Sequence, residues 1–348
     1  MKNLLVTGGC GFIGSNLIRY LFTETDFEGN IINVDKLTYA GNPENLKDIE
    51  KEYKDRYTFI QADICDGMKM EHVFNTYPID SVCHLAAESH VDRSIDDPDS
   101  FVTTNIFGTL RLLELARRRK DQIRFFYYVS TDEVFGSASK GESFTEYSPY
   151  NPGSPYSASK AAADHLVRAY YNTYKVPTII SNCTNNYGPY QFPEKLIPLA
   201  IINAIEEKPI PVYGAGINIR DWLYVIDHCS AIYTIMKGGI IGETYNICGG
   251  YEKQNIEVIQ SICYNIDVML DREGGTLSLV TFVKDRPGHD LRYSLCSDKL
   301  KNSLGWAPNE SFYTGLTKTV LWYINNRDWV ENISNGEYRN WIKKHYSL

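Results

Sequence analysis

The stretch Thr7-Gly8-Gly9-Cys10-Gly11-Phe12-Ile13-Gly14 joins an apolar run, Asn3-Leu4-Leu5-Val6-Thr7, to a helical pattern with apolar residues at 12, 13, 17, 18, 21 and 22. Gly9, Gly11 and Gly14 satisfy G-x-G-x-x-G; Gly8, Gly11 and Gly14 satisfy G-x-x-G-x-x-G. Glycine between strand and helix permits a tight turn, close approach of the backbone to a pyrophosphate, and helix-on-strand packing. The helix N-terminus then offers free N–H groups to the phosphates. A purely structural turn can also be glycine-rich. Here, however, the next apolar run, Ile31-Ile32-Asn33-Val34-Asp35, ends in a carboxylate about 20 residues beyond Gly14, the position of an acceptor for the adenosine ribose hydroxyls. Asp35 would repel a 2′-phosphate, so the pattern predicts NAD rather than NADP; the alternative for Asp35 is a strand-end turn residue. Asp63-Ile64, after the run Tyr57–Gln61, reads either as an adenine contact or as a helix N-cap.

Outward from this loop, short apolar runs alternate with helical patterns. Strands are expected at 57–61, 81–85, 123–130 and 177–182, and helices at 99–119 and 156–174. Such alternation predicts an α/β fold, a Rossmann-type doubly wound parallel sheet, with ligands at the carboxyl ends of the strands. Beyond about Asn185, Pro189, Pro193, Pro198, Pro209, Pro211, Gly214 and Gly216 interrupt the pattern. We read residues 186–348 mainly as a smaller mixed α/β C-terminal substrate lobe with long loops. Residues 1–185 read as the NAD-binding domain, with a later contribution near 225–250, where 244–247 returns as a strand.

Composition narrows the class. The chain has 348 residues, 43% hydrophobic and 22% charged, enough apolar material for a large core. Disordered, collagen-like and disulfide-stapled chains are thereby excluded. The net charge is −8, and a general nucleic-acid binder is more often basic. The eight cysteines form no C-x-x-C pair and no zinc-finger spacing, so they read as thiols in a reducing compartment, and no metal site is expected. No secretory signal is visible, and the most apolar window, 196–205, is too short to span a bilayer. The expectation is a soluble cytoplasmic protein. The run Arg117-Arg118-Arg119-Lys120 reads as a solvated helix end.

Two further segments carry chemistry. Tyr156-Ser157-Ala158-Ser159-Lys160 places Tyr156 and Lys160 on one helix face. An ammonium beside a phenol stabilises the phenolate, lowering a pKa of about 10 so that Tyr156 can act as a base toward an alcohol. In Val129-Ser130-Thr131-Asp132-Glu133, Thr131 supplies the hydroxyl that alcohol oxidation needs. Alcohol oxidation does not need the two adjacent carboxyl groups, which read either as turn caps or as an acid and a base with separated pKa values. Chemistry that uses all of them is oxidation of a sugar C4 hydroxyl, which acidifies the C5 proton. A carboxylate removes that proton, a carboxylic acid protonates the departing C6 hydroxyl, and the reduced cofactor returns its hydride to C6.

These segments, with 35–42, 84–94, 182–189, 193–198 and Asp285-Arg286-Pro287-Gly288-His289-Asp290, resemble the extended short-chain dehydrogenase/reductases. Within that family the chain is similar to the dTDP-glucose 4,6-dehydratases over nearly its whole length. The resemblance implies that Tyr156 takes the O4 proton and that Lys160 holds the nicotinamide ribose and tunes Tyr156. It implies that Thr131 bonds O4, that Asp132 is the acid at C6 and that Glu133 is the base at C5. For NAD it implies Gly8, Gly11, Phe12, Ile13, Gly14, Asp35, Lys36, Leu37, Thr38, Asp63, Ile64, Leu85, Ala86, Ala87, Glu88, Ser89, Thr104, Tyr156, Lys160 and Asn186. For the nucleotide sugar it implies Ser89, Thr131, Asn185, Lys195, Leu196, Pro211, Tyr213, Arg220, Asn255, Asp285 and His289. Arg220 and Lys195 are cations suited to a diphosphate, and Tyr213 can flank a base. Taken alone, Arg220 reads as a surface salt bridge to Asp221, and His289 as a structural histidine.

Members of this family usually pair through two long helices per subunit, so a homodimer is implied, with no nucleic-acid or membrane partner. Two departures from the family pattern are visible: Cys10 where a small Ala is common, and Phe135 where Tyr is usual. The alternatives are a UDP- or GDP-sugar 4,6-dehydratase, a nucleotide-sugar 4-epimerase, and a non-catalytic NAD-binding regulator. An epimerase has no use for Asp132-Glu133, and a regulator would not need Tyr156 and Lys160.

Overall fold

The computed structural model describes residues 1–285 and 288–333. Among the described residues there are twelve strands: β1 Asn3–Thr7, β2 Asn30–Asp35, β3 Tyr57–Gln61, β4 Ser81–His84, β5 Phe125–Thr131, β6 Thr178–Cys183, β7 Asn185–Tyr187, β8 Ile210–Tyr213, β9 Ile219–Tyr224, β10 Thr244–Ile247, β11 Glu252–Gln254 and β12 Val280–Val283. Seven of them form one sheet in the order β10-β6-β5-β4-β1-β2-β3, with every pairing parallel. This is a Rossmann-type sheet extended by β10, as the alternating pattern predicts. Its strands are near-continuous apolar runs because helices cover both faces. Alternation along β1 shows this directly: Leu4 and Val6 enter the core with Leu17, Ile18 and Ile232, while Leu5 enters the opposite core with Val82, Leu112 and Val167.

Chain order reverses between β1 and β4, and the crevice at such a switch point is where ligands bind. The expected helix over 99–119 is interrupted. Pro98–Phe101 and Thr109–Arg118 are α-helical, but Val102–Gly108 forms a wide π turn. Such turns are common at functional sites, and here the turn carries Thr104 and Asn105. At its end Gly108 packs closely on the Ile64 side chain, which a Cβ there would meet at 2.5 Å and have to displace.

The region after Asn185 is more regular than its Pro and Gly content suggests. Helices Leu196–Ile205, Asn255–Met269 and Phe312–Asn325 pack with β8 and β9 around a third core. Pro198 sits in the first turn of its helix, where a missing N–H costs nothing. Strand β8 pairs in parallel with β12, and β9 pairs with β7 and β11. Helix Val225–Gly238 instead packs into the Leu4/Val6 core beside the main sheet. All eight cysteines are free thiols, six of them buried. Among the described residues no helix is long and apolar enough to cross a membrane, and no His/Cys/Asp/Glu cluster could hold a metal.

Candidate active site

A cavity of about 300 Å³ lies over the carboxyl ends of β1, β2, β4, β5 and β6. The glycine loop forms its floor. Gly8 has φ +73°, and a Cβ there would meet Ala86 at 2.7 Å; a Cβ on Gly14 would meet the Gly8 carbonyl oxygen at 2.2 Å. Loop and helix therefore approach each other more closely than any side chain allows. Gly11 is the N-cap of helix Phe12–Thr23 and supplies no side-chain acceptor to its N–H groups, an arrangement suited to phosphate oxygens. The buried thiol of Cys10 is accommodated, with Asn33 Nδ2 donating to Sγ at 3.5 Å.

Asp35 is buried at the end of β2. Its Oδ2 accepts from the Cys10 N–H at 3.0 Å and its Oδ1 from the Leu37 N–H at 2.8 Å. Burial raises its pKa, and these two N–H groups oppose the rise. The carboxylate is thus both a turn residue and a cavity-lining acceptor with lone pairs to spare. Asp63 is neither helix cap nor cavity wall. Its Oδ1 accepts from the Cys65 N–H at 2.8 Å, while Asp66 caps the helix Gly67–Thr76. Leu37, at φ +60°, also lies outside the lining. The remaining residues expected at the cofactor do line the cavity.

The 84–89 segment is held from the π turn. Asn105 Oδ1 accepts from the Glu88 N–H at 2.9 Å, while its Nδ2 donates to the Glu88 carbonyl at 3.0 Å and to Ser159 Oγ at 2.9 Å. Lys36 Nζ lies 3.8 Å from Glu88 and 3.7 Å from Asp63. Asn186, also on the wall, accepts from His228 Nδ1 at 2.9 Å; burial pushes His228 down to about 3, so its ring is neutral.

At the end of β5 the backbone turns sharply through Asp132–Phe135. The Thr131 hydroxyl caps that turn by accepting from the Glu133 N–H at 3.3 Å, and it donates to Asp132 Oδ1 at 3.2 Å. Asp132 is 2% exposed, and its Oδ2 has no hydrogen-bond partner among the described residues. Burial, then the neighbouring Glu133 carboxyl, raises its pKa well above that of an ordinary aspartate. Glu133 is less buried and lines the same cavity.

Helix Pro155–Tyr174 begins at a Ser154 capping box and brings Tyr156 and Lys160 to the cavity. The expected depression of the Tyr156 pKa is not found. Burial raises it, with Glu133 adding to the rise and a hydrogen bond with Thr131 opposing it. The ammonium of Lys160 donates to the Val129 carbonyl at 2.8 Å and lies 4.2 Å from the Tyr128 ring centroid. Burial lowers Lys160 to about 8. In the protein alone, desolvation of Tyr156 outweighs any help from this cation.

The sugar-nucleotide set divides. Ser89, Thr131, Asn185 and Lys195 line the cavity; Leu196, Pro211, Tyr213, Arg220, Asn255, Asp285 and His289 do not. Leu196 opens the helix Leu196–Ile205, and the others lie on β8 and β9 or just beyond β11 and β12. Arg220 is 4% exposed and donates to the carbonyls of Ile219 at 2.7 Å and Asp290 at 2.9 Å. It does not make the surface salt bridge to Asp221, whose carboxylate accepts from Gly250 and Tyr251 N–H groups. His289 Nδ1 lies 2.7 Å from Asp285 Oδ1, and Tyr213 packs edge-on against His289. Tyr213 of this cluster donates to Asp92 at 3.2 Å, and on the cavity wall Lys195 donates to the Ser89 carbonyl at 3.0 Å. Arg286 and Pro287, within the resembling string, lie outside the described residues.

Cavity residues missed in the sequence include Ala40, Gly41, Cys183, Gln191, Phe192 and Glu194. Cys183 ends β6, so the rule that ligands sit at strand ends points to it. Gln191, Phe192 and Glu194 lie on a loop with no periodic signal. Phe135 is stacked on Phe144 at 5.3 Å and lies edge-on to Tyr150 at 5.0 Å, an apolar setting that asks for no hydroxyl.

Comparison with known proteins agrees with this geometry. Residues 5–319 match the family described as GDP-mannose 4,6 dehydratase. The dTDP-glucose 4,6-dehydratase of Shigella flexneri is 51% identical, over 99% of this chain and 98% of that protein. The NAD complex of the Bacillus anthracis dTDP-glucose 4,6-dehydratase superimposes with a TM-score of 0.86 at 44% identity, covering 96% of this chain and 100% of that one. The Streptomyces venezuelae enzyme, also solved with NAD, gives 0.87 at 43% identity, covering 95% and 99%. With its glycine loop, Thr131-Asp132-Glu133 turn and Tyr156/Lys160 helix converging on one cavity, the chain belongs to the dTDP-glucose 4,6-dehydratases of the extended short-chain dehydrogenase/reductase family.

Proposed function

We propose that the chain is an NAD-dependent hydro-lyase that converts dTDP-glucose to dTDP-4-keto-6-deoxyglucose. The observation that carries this reading is the placing of a buried Asp132, its pKa raised, and a more accessible Glu133 beside Thr131 and Tyr156. NAD, when bound, accepts hydride from C4 and gives it back at C6. Tyr156 takes the O4 proton, and Thr131 holds O4. Glu133 removes the C5 proton once C4 is a ketone. Asp132 donates a proton to the C6 hydroxyl through the oxygen that no protein group occupies, and water departs. Burial raises the pKa of Asp132 and so favours the protonated form this step uses.

The cofactor half comprises residues 1–185 with the 225–250 return, and the 186–333 region supplies most of the sugar-nucleotide half. Asn185 and Asn255 each bury a side-chain oxygen without a protein partner, as ligand-binding amides do. Arg220 and Lys195 are the cations for the diphosphate. The exposed apolar residues Ile95, Val102 and Phe107 lie on or beside the long helical stretch, and they support pairing of two copies there. Eight free thiols suit a reducing, cytoplasmic setting.

A panel of nucleotide sugars tests the base preference. The purified protein should turn over dTDP-glucose at least tenfold more efficiently than its UDP and GDP counterparts. Equal or better turnover of UDP-glucose would overturn the nucleotide assignment.

A further inference from the structure

Hydride return sets a kinetic demand on the site. The hydride taken from C4 comes back at C6 only after water has left. Loss of the reduced cofactor in that interval would strand the keto sugar, so the groups that hold it must outlast the elimination. The glycine loop is one of them, and it is fastened from the far end of the described chain.

Cys10, between Gly9 and Gly11 of that loop, is held on both sides. Its N–H donates to Asp35 Oδ2 at 3.0 Å. Its carbonyl accepts twice, from the Asn42 N–H at 3.0 Å and from Asn45 Nδ2 at 3.0 Å, which uses both lone pairs. Asn45 lies in the short turn Pro43–Leu46, just after the segment whose Lys36, Thr38, Ala40 and Gly41 line the cavity. Its side chain is buried, at 1% exposure. The other end of the same amide, Oδ1, accepts from Trp329 Nε1 at 2.7 Å. One buried amide thus joins the Trp329 indole to the backbone of the glycine loop, across 284 residues of sequence.

The same C-terminal helices grip a second wall of the cavity. Trp329, on helix Arg327–Ile333, packs on Trp322 of helix Phe312–Asn325 at 5.0 Å between ring centroids, and on Tyr190 at 5.9 Å. Next to Tyr190, the Gln191 carbonyl accepts from the Tyr323 hydroxyl at 2.5 Å, and Gln191 Nε2 donates to the Asn186 carbonyl at 2.9 Å. Asn186 and Gln191 both line the cavity. Ring packing alone would seat the helices, and it makes no use of the indole N–H. A buried amide that loses a partner bears the cost of an unpaired polar atom, so the indole steadies Asn45 and Asn45 steadies the Cys10 carbonyl. We propose that Trp329 and Asn45 are positioning residues: together they clasp the glycine loop and slow release of the cofactor, keeping it in place through the elimination.

The purpose of the clasp rests on the hydride-return reading, so release is measured without sugar. Trp329→Phe keeps an aromatic ring and removes the N–H; Asn45→Ala removes both bonds. Each holoenzyme, and the double variant, is loaded with labelled NAD and chased with excess unlabelled NAD, with the melting temperature recorded. The clasp predicts release roughly 10-fold faster in Trp329→Phe, the effect of one lost buried hydrogen bond. Release should be faster still in Asn45→Ala and no faster in the double variant, because both residues act through one joint. At saturating NAD the kcat of Trp329→Phe should equal that of the wild type. Without added NAD its turnover of dTDP-glucose should decay, and adding NAD should restore it. Should the alanine variant not fold, Asn45→Asp takes its place; it still accepts from the indole but has no proton for the Cys10 carbonyl, and release should again be faster than in the wild type. Wild-type release from Trp329→Phe would overturn the clasp. So would additive effects in the double variant, or a fall in kcat at saturating NAD that matches the rise in release, since either marks a general loosening. The predicted release pattern with no product from the wild type would instead contradict the dehydratase reading.

Discussion

Asp132 and Glu133 are adjacent in the chain but differ in surroundings, and the difference supports the separate roles proposed for them. Asp132 faces away from water, receives one hydrogen bond from Thr131, and has its pKa raised by burial and by the second carboxyl. Glu133 is more open to the cavity and raises the pKa of its neighbour. Glu133→Gln should therefore abolish exchange of the C5 proton with solvent and lower kcat by about 10²–10⁴-fold, while the cofactor stays bound. Wild-type exchange in that variant, read by NMR in deuterated water, would refute the base assignment. These carboxyls were legible in the sequence because plain alcohol oxidation has no use for them. The state of Tyr156 was not legible. The i,i+4 spacing to Lys160 is visible in the sequence, but the Val129 carbonyl that engages the ammonium is 31 residues away.

The glycine loop and strands β1 to β6 follow from local pattern, because each is a continuous apolar run ended by turn residues. The π turn Val102–Gly108 does not follow from that pattern. Its cause is tertiary: Asn105 reaches across to Glu88 and Ser159, and Gly108 packs on Ile64. The same turn leaves Phe107 53% exposed and Val102 40% exposed, on a stretch that also buries Phe101, Leu112 and Leu113 in the core. Large apolar side chains at such exposure fit a helix-to-helix contact between copies. Phe107→Glu should weaken self-association roughly 30-fold or more, the effect of losing a central aromatic anchor. Light scattering should then give a lower mass for the variant than for the wild type at the same concentration. A variant of unchanged mass would place the contact elsewhere.

Two bodies of structure meet over one cavity. The parallel sheet presents five strand ends to it, and the second region reaches it through Lys195–Ser89 and Tyr213–Asp92. The sheet was readable because its strands announce themselves one at a time. The second lobe was less so, since its helices close a core only when β8, β9 and three separated helices come together. Arg220 shows the consequence: as a sequence neighbour of Asp221 it looks like a surface ion pair, yet it is buried on the carbonyls that shape the 290–291 segment. The arrangement as a whole implies that hydrogen removed from one carbon of the sugar comes back to another carbon of the same molecule. Turnover of dTDP-glucose carrying deuterium at C4 measures this directly. The account predicts deuterium at C6 of the product with no reduced nicotinamide accumulating; a product without that deuterium, accompanied by stoichiometric reduced cofactor, would contradict it.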